Sequence, residues 1–186
     1  MKRALVLALV ALWALGETPP GPMIFRPADQ SVIQAGPVSV VAKGPADAKL
    51  ELDGKPVEAQ HPAAGVFAAI ITPTAGRHQL SLAGRSIQFF VGASGAPEGW
   101  KQFRAHPPAA VNCETCHAVN QGAWDFKGGT VAENCFECHQ QQSFPKVHQH
   151  NPEVLADCQL CHNPHGSTAK FHLKMAKETA CKQCHG

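Results

Sequence analysis

Asp157-Cys158-Gln159-Leu160-Cys161-His162-Asn163-Pro164-His165-Gly166-Ser167 decides how the second half of this chain folds. Two cysteines stand three apart, and a histidine follows the second at once. The same C-x-x-C-H order recurs at Cys113-Glu114-Thr115-Cys116-His117, Cys135-Phe136-Glu137-Cys138-His139 and Cys181-Lys182-Gln183-Cys184-His185. The chain has 8 cysteines, and the four motifs use them all. First cysteines fall at 113, 135, 158 and 181, so the unit repeats every 22 or 23 residues.

C-x-x-C-H is the pattern of c-type haem attachment. Two cysteines three apart reach the two vinyl groups on one edge of a porphyrin and form thioethers. The next residue then lies under the ring, where its imidazole ligates iron. A disulfide framework gives no reason for a histidine after every second cysteine. Zinc ribbons pair C-x-x-C motifs, but four thiolates already close the tetrahedron and leave the histidine superfluous. A thioredoxin-like pair occurs once, within a βαβ pattern. Four covalent haems c are the expectation, with Cys113, Cys116, Cys135, Cys138, Cys158, Cys161, Cys181 and Cys184 as attachment points. His117, His139, His162 and His185 are the proximal ligands.

Roughly 85 residues around four macrocycles cannot build an ordinary core, since even a 60-residue domain is marginal. The haems must be the core, forced close together by the short spacing, with the peptide as loops and short helices. Met175 to Cys181 reads as a helix leading into the last motif. Each iron needs a sixth ligand or an open face. The candidates are His106, His150, His165 and His172, with His148 as a spare; Met175 is a weaker thioether option. His106, His150 and His172 precede a motif by seven, eight and nine residues. Asn163-Pro164 disfavours a continuing helix, so His165 is expected to face a haem other than the one held by His162. Which distal histidine serves which haem stays open at this stage.

The run from His150-Asn151-Pro152 through Cys158-Gln159-Leu160-Cys161-His162-Asn163-Pro164-His165-Gly166-Ser167 resembles multihaem cytochromes of the doubled C-x-x-C-H type, related loosely to the cytochrome c3 group. The likeness covers the last eighty-odd residues. It implies bis-histidine, low-potential haems used in respiratory electron transfer. The partners it implies are redox proteins: a quinol-oxidising membrane complex, other cytochromes or a terminal reductase. This chain departs from the pattern at Cys135, which has no histidine seven to nine residues upstream.

Working toward the N-terminus, residues 22–93 hold no cysteine and much β signal. Val38-Ser39-Val40-Val41 is β-branched, and Leu50 and Leu52 alternate with polar residues. Asp53-Gly54 turns the chain into Lys55-Pro56-Val57, a hairpin signal. Val66 to Ile71 is an apolar run. His78, Leu80 and Leu82 alternate with polar neighbours, and Gly84-Arg85 turns into Ile87, Phe89 and Val91. Six or seven short strands with turns between them form the pattern of a β-sandwich. Pro27-Ala28-Asp29-Gln30-Ser31, Leu52-Asp53-Gly54-Lys55 and Gly76-Arg77-His78-Gln79-Leu80 resemble the Ig-like modules of bacterial surface proteins. That likeness implies binding or spacing rather than catalysis. His61 and His78 read as ordinary surface histidines. Gly92-Ala93-Ser94-Gly95-Ala96-Pro97 is small-residue rich, placing a linker at 94–99 and the tetrahaem domain at 100–186.

The first sixteen residues read as a signal peptide. Lys2 and Arg3 are its positive start, Ala4 to Leu15 its apolar stretch, and Ala14-Leu15-Gly16 its cleavage site. An uncleaved anchor is the alternative. In either case the body faces an oxidising compartment, periplasmic or extracellular. No apolar run reaches the ~20 residues of a membrane span, so none is expected in the mature chain.

The formal net charge of +2 gives no basic excess for nucleic acid. Removing residues 1–16 takes away Lys2 and Arg3, and 14 positive residues then balance 14 acids. Four haems with two propionates each bring roughly −4 when oxidised and −8 when reduced, making the working protein acidic. Three functions compete. An electron carrier with every iron closed accounts best for the histidine surplus. A reductase of a small nitrogen or sulfur compound needs one open haem and proton donors, and the chain has no tyrosine. In a docking protein the β-module would lead. Oligomers are compatible with any of the three.

Overall fold

The computed structural model describes residues 21–106, 113–120, 123–139, 150 and 157–186. The expected signal segment and His148 lie outside the described residues.

The first part is all β. Its strands are β1 (Met23–Arg26), β2 (Ser31–Ile33), β3 (Val38–Lys43), β4 (Leu50–Leu52), β5 (Lys55–Pro56), β6 (Val66–Ile71), β7 (Gly76–Leu82), β8 (Arg85–Val91) and β9 (Lys101–Gln102). One sheet has three strands in the order β1-β3-β6, and the other six in the order β5-β4-β7-β8-β2-β9. Alternation sets which face each strand buries. Val38, Val40 and Ala42 turn inward from β3, Leu80 and Leu82 from β7, and Ile87, Phe89 and Val91 from β8. With Leu50, Phe67 and Ile71 they form one core drawn from both sheets. Phe67 and Phe89 are the largest side chains in it, each stabilising by about 1.5–3 kcal/mol through burial.

Two-residue turns join the hairpins. Leu52 pairs with Lys55 across Asp53-Gly54, and Leu82 pairs with Arg85 across Ala83-Gly84. All four turn residues have positive φ, as the primed turns that suit strand twist require. The second turn therefore lies one residue earlier than the Gly84-Arg85 read from sequence.

His78 is a correction. It is only 8 % exposed, not a surface residue. Its Nδ1 lies 2.7 Å from the Asp53 carboxylate, its Nε2–H donates to the Thr74 carbonyl at 2.8 Å, and its ring centre is 5.5 Å from that of Phe89. Asp53 also accepts from the Gln79 amide at 2.8 Å, tying the β4–β5 turn to β7. Burial works against the charged carboxyl, but the Gln79 amide, the His78 ring and Lys55 outweigh it and hold Asp53 below the usual carboxylate range. Its stabilising effect is present above that range and is lost as pH falls through the lowered folded value. Asp53→Asn is expected to lower stability at neutral pH by about 1 kcal/mol, given the exposure of the carboxylate. Urea midpoints followed from pH 7 downward should converge for wild type and variant at acid pH. Curves that stay parallel would refute this role.

β2 is parallel to both β8 and β9, and the Phe103 amide donates to the Val32 carbonyl. Residues 94–99 thus return the chain to the same sheet before it leaves. β10 (Arg104–Ala105) then pairs with the distant β13 (Gly166–Ser167). Gly166 has φ +124, and a Cβ there would sit 2.6 Å from the Arg104 carbonyl oxygen, so only glycine allows this approach.

The rest is built of short pieces. Hairpin β11 (His117–Asn120) and β12 (Ala123–Phe126) follows the first motif, within a region expected to be mostly loop and short helix. Helix α1 (Val131–Phe136) starts at a capping box in which Thr130 and Glu133 satisfy each other's backbone amides. Helix α2 (Lys177–Lys182) covers most of the expected Met175–Cys181 stretch. Short 3-10 turns span Cys113–Thr115, Cys158–Leu160 and Lys170–His172. Among the described residues beyond 106, Ala180 is the one buried apolar side chain.

Candidate functional site

Each C-x-x-C-H motif is a single helical turn. The carbonyl of the first cysteine accepts the amide of the second in all four: Cys113 from Cys116, Cys135 from Cys138, Cys158 from Cys161 and Cys181 from Cys184. In the last three it also accepts the amide of the following histidine at 2.8–2.9 Å. Residues three and four apart share one helical face. Both cysteines and the histidine of the last three motifs therefore lie on one helical face, whereas His117 already belongs to β11. No disulfide joins the eight cysteines. Among the described residues, no three His, Cys, Asp or Glu side chains converge as a metal-ion cluster.

Three motifs lie close together. Burial and the neighbouring Cys138 and Glu137 push the Cys116 thiol up, with Lys127 opposing. Burial, Cys158 and Cys116 push Cys135 up to about 11. The first motif therefore borders the second, and the second borders the third. Their turns are held by α1 and by Asp157, whose side chain accepts from the Gln159 amide and caps the third turn.

The histidines fall into pairs. His117 and His165 lie parallel within 6°, their centres 6.4 Å apart. His106 and His139 are 5.7 Å apart at 22°, and His150 and His185 6.1 Å apart at 41°. An iron held between two imidazoles by bonds of about 2 Å separates their ring centres by about 6 Å. All three pairs fit that spacing. His172 meets His106 edge-on at 4.9 Å and also acts electrostatically on His162. The pairing puts His165 beside the first motif rather than beside its sequence neighbour His162. Asn163 accepts the His165 amide and Pro164 prevents a helix, so the chain turns between the two rings.

Backbone carbonyls orient several rings. His162 donates from Nδ1 to the Phe171 carbonyl at 2.7 Å, and His106 from Nδ1 to the Pro164 carbonyl at 3.2 Å. Both bonds leave Nε2 available for a metal, the usual outer-shell arrangement of a ligating histidine. The Nδ1 of His172 is buried without a hydrogen bond among the described residues. Burial, with His117, Arg26 and His106 nearby, lowers His165 to about 4, and burial also lowers His117 and His172. The lowering favours the neutral ring, the form that offers a lone pair. Leu160 is half exposed and Phe171 largely so, both beside the third motif, where a porphyrin plate would cover them. The donor set, the ring spacing and this apolar flank fit haem c.

Two contributors were not legible in the sequence. Phe126 stacks on His117 at 5.4 Å, and Phe25, from the first strand of the β-module, lies 5.0 Å from His165. Phe25 precedes every cysteine by nearly ninety residues, and no local pattern marks it.

Residues 150–186 match the family model for the doubled CXXCH motif. The match takes in the third and fourth motifs and begins at His150. A search of curated proteins found no relative of the chain. The motifs thus indicate covalent haem c binding and a multihaem cytochrome-like region.

Proposed function

We propose that this chain is an extracytoplasmic tetrahaem c-type cytochrome that passes electrons between respiratory partners and acts on no substrate of its own. The reading rests on one observation above all: three motif histidines each face a second imidazole at the spacing that an intervening iron requires. An iron closed on both faces carries electrons but has no open position for a substrate.

The roles follow from the chain. Each pair of cysteines holds one porphyrin edge. His117 and His165, His139 and His106, and His185 and His150 form three axial pairs, leaving His172 beside His162 for the fourth. The carbonyls of Phe171 and Pro164 fix ring orientation and tautomer. A haem bound at each turn supplies a reversible one-electron iron couple. Adjacent first, second and third motifs keep neighbouring centres close, which a conducting chain needs. The β-module is read as Ig-like, and residues 1–16 as the signal that exports the chain. Haem propionates near the surface suit a redox partner that carries lysines.

The test is stoichiometry. Intact mass of the secreted protein should exceed that of the peptide by four haems, about 2.5 kDa. The pyridine haemochrome should count four haems per chain. A gain of two would restrict the function to the matched region 150–186 and sink the tetrahaem reading.

A further inference from the structure

We propose that Arg26 of the β-module binds a propionate of the haem attached at Cys113 and Cys116, so that this module forms part of the first haem pocket. The proposal rests on the tetrahaem reading and adds a residue to it.

The backbone brings Arg26 there. β1 and β3 run antiparallel, with Ile24 opposite Ala42 and Arg26 opposite the adjacent Val41. Phe25 is thus the extra residue of a β-bulge. Along a regular strand, Phe25 and Arg26 would point to opposite faces. A bulge breaks that alternation and re-aims side chains. The Phe25 ring meets His165, which lies parallel to His117. The Arg26 guanidinium acts electrostatically on His165 and on Cys113. The short β10–β13 ladder fixes Gly166, next to His165. Arg26 therefore adjoins the ring that meets His165, and its charge is felt at His165 and at the attachment cysteine Cys113.

The side chain itself calls for an anion. Arg26 is half buried, and its Nε is buried with no hydrogen bond among the described residues. A buried guanidinium donor left unpaired is costly. A propionate is a carboxylate, and the planar guanidinium matches a carboxylate with two parallel N–H···O bonds.

The test uses the full-length haem-loaded protein. Arg26→Gln removes the cation, and Arg26→Lys keeps it. Arg85→Gln, on the exposed start of β8, is the control. Midpoint potentials of the haems are measured by spectroelectrochemistry, and haem content by intact mass. A cation beside a haem favours the reduced form, which is more negative by one charge. Arg26→Gln should therefore move one midpoint downward and leave three unchanged. Arg26→Lys should restore most of the shift, and Arg85→Gln should produce none. Loss of one haem in Arg26→Gln, recovered in Arg26→Lys, would support the same site. Four haems with four unchanged midpoints in Arg26→Gln would overturn the propionate role and leave the tetrahaem reading standing. A wild-type chain without haem at the first motif would overturn both.

Discussion

A chain carrying Cys158→Ser with Cys161→Ser should lose its third haem and, with it, the folded state of much of the region beyond residue 106. The reason is the scarcity of any other core. Among the described residues there, Ala180 is the one buried apolar side chain, while Leu160 and Phe171 stand exposed beside the third motif. Burying apolar surface stabilises by about 25 cal/mol per Å², and this peptide supplies little of its own. The third motif is also central. Its Cys158 adjoins Cys135, the His162 ring is tied to the Phe171 carbonyl, and the Lys174 amide donates to the Cys161 carbonyl. Removing the plate there loosens the strap that carries His165 and His172. The β-module has its own core and should survive. Intact mass should fall by at least one haem, about 0.6 kDa. Limited proteolysis should cut the region after residue 106 at least tenfold faster and leave residues 21–103 resistant. A three-haem protein as protease-resistant as wild type would show that the peptide, not the haem, holds this region together.

The parts most legible in the sequence are those set by local pattern. Val38–Lys43, Val66–Ile71 and Arg85–Val91 carry alternation or β-branched runs, and each is a strand. Asp53-Gly54 marks its hairpin because the backbone there needs positive φ. β1 and β2 are different. They are four and three residues long, too short for a period to stand out, and their partners lie far along the chain. His78 misled because alternation alone does not distinguish a surface imidazole from one buried against Phe89 and paired with Asp53. Helix α1 is one of the short helices expected around the motifs, and Thr130-x-x-Glu133 is the capping box that marks its start. The haem-attaching residues are legible because thioether chemistry demands a fixed spacing. The pairing of imidazoles is not, since it depends on where strands such as β10 and β13 meet across some sixty residues.

His165→Ala should convert a protein that binds almost no carbon monoxide into one that binds it at a single haem. Reduced bis-histidine iron has no free position, so wild type should show little spectral change with the gas near neutral pH. His165 lies parallel to His117 at 6.4 Å, is held by the Asn163 turn and the β10–β13 pairing, and is backed by Phe25. Alanine removes the sixth ligand but leaves the thioethers and His117 in place. The haem stays attached, and one-quarter of the haem absorbance should shift on adding the gas. His61→Ala is the comparison. That ring packs edge-on against Phe67 in the β-module, 4.7 Å from it, and should open no haem. His150→Ala should open a different one, partnered by His185, so a double variant with His165→Ala should bind twice as much gas as either alone. Two outcomes would count against the pairing. A His165→Ala protein as silent as wild type would show that another histidine closes the first iron. Equal binding in the double and single variants would place His150 and His165 on the same haem, contrary to the two separate ring pairs.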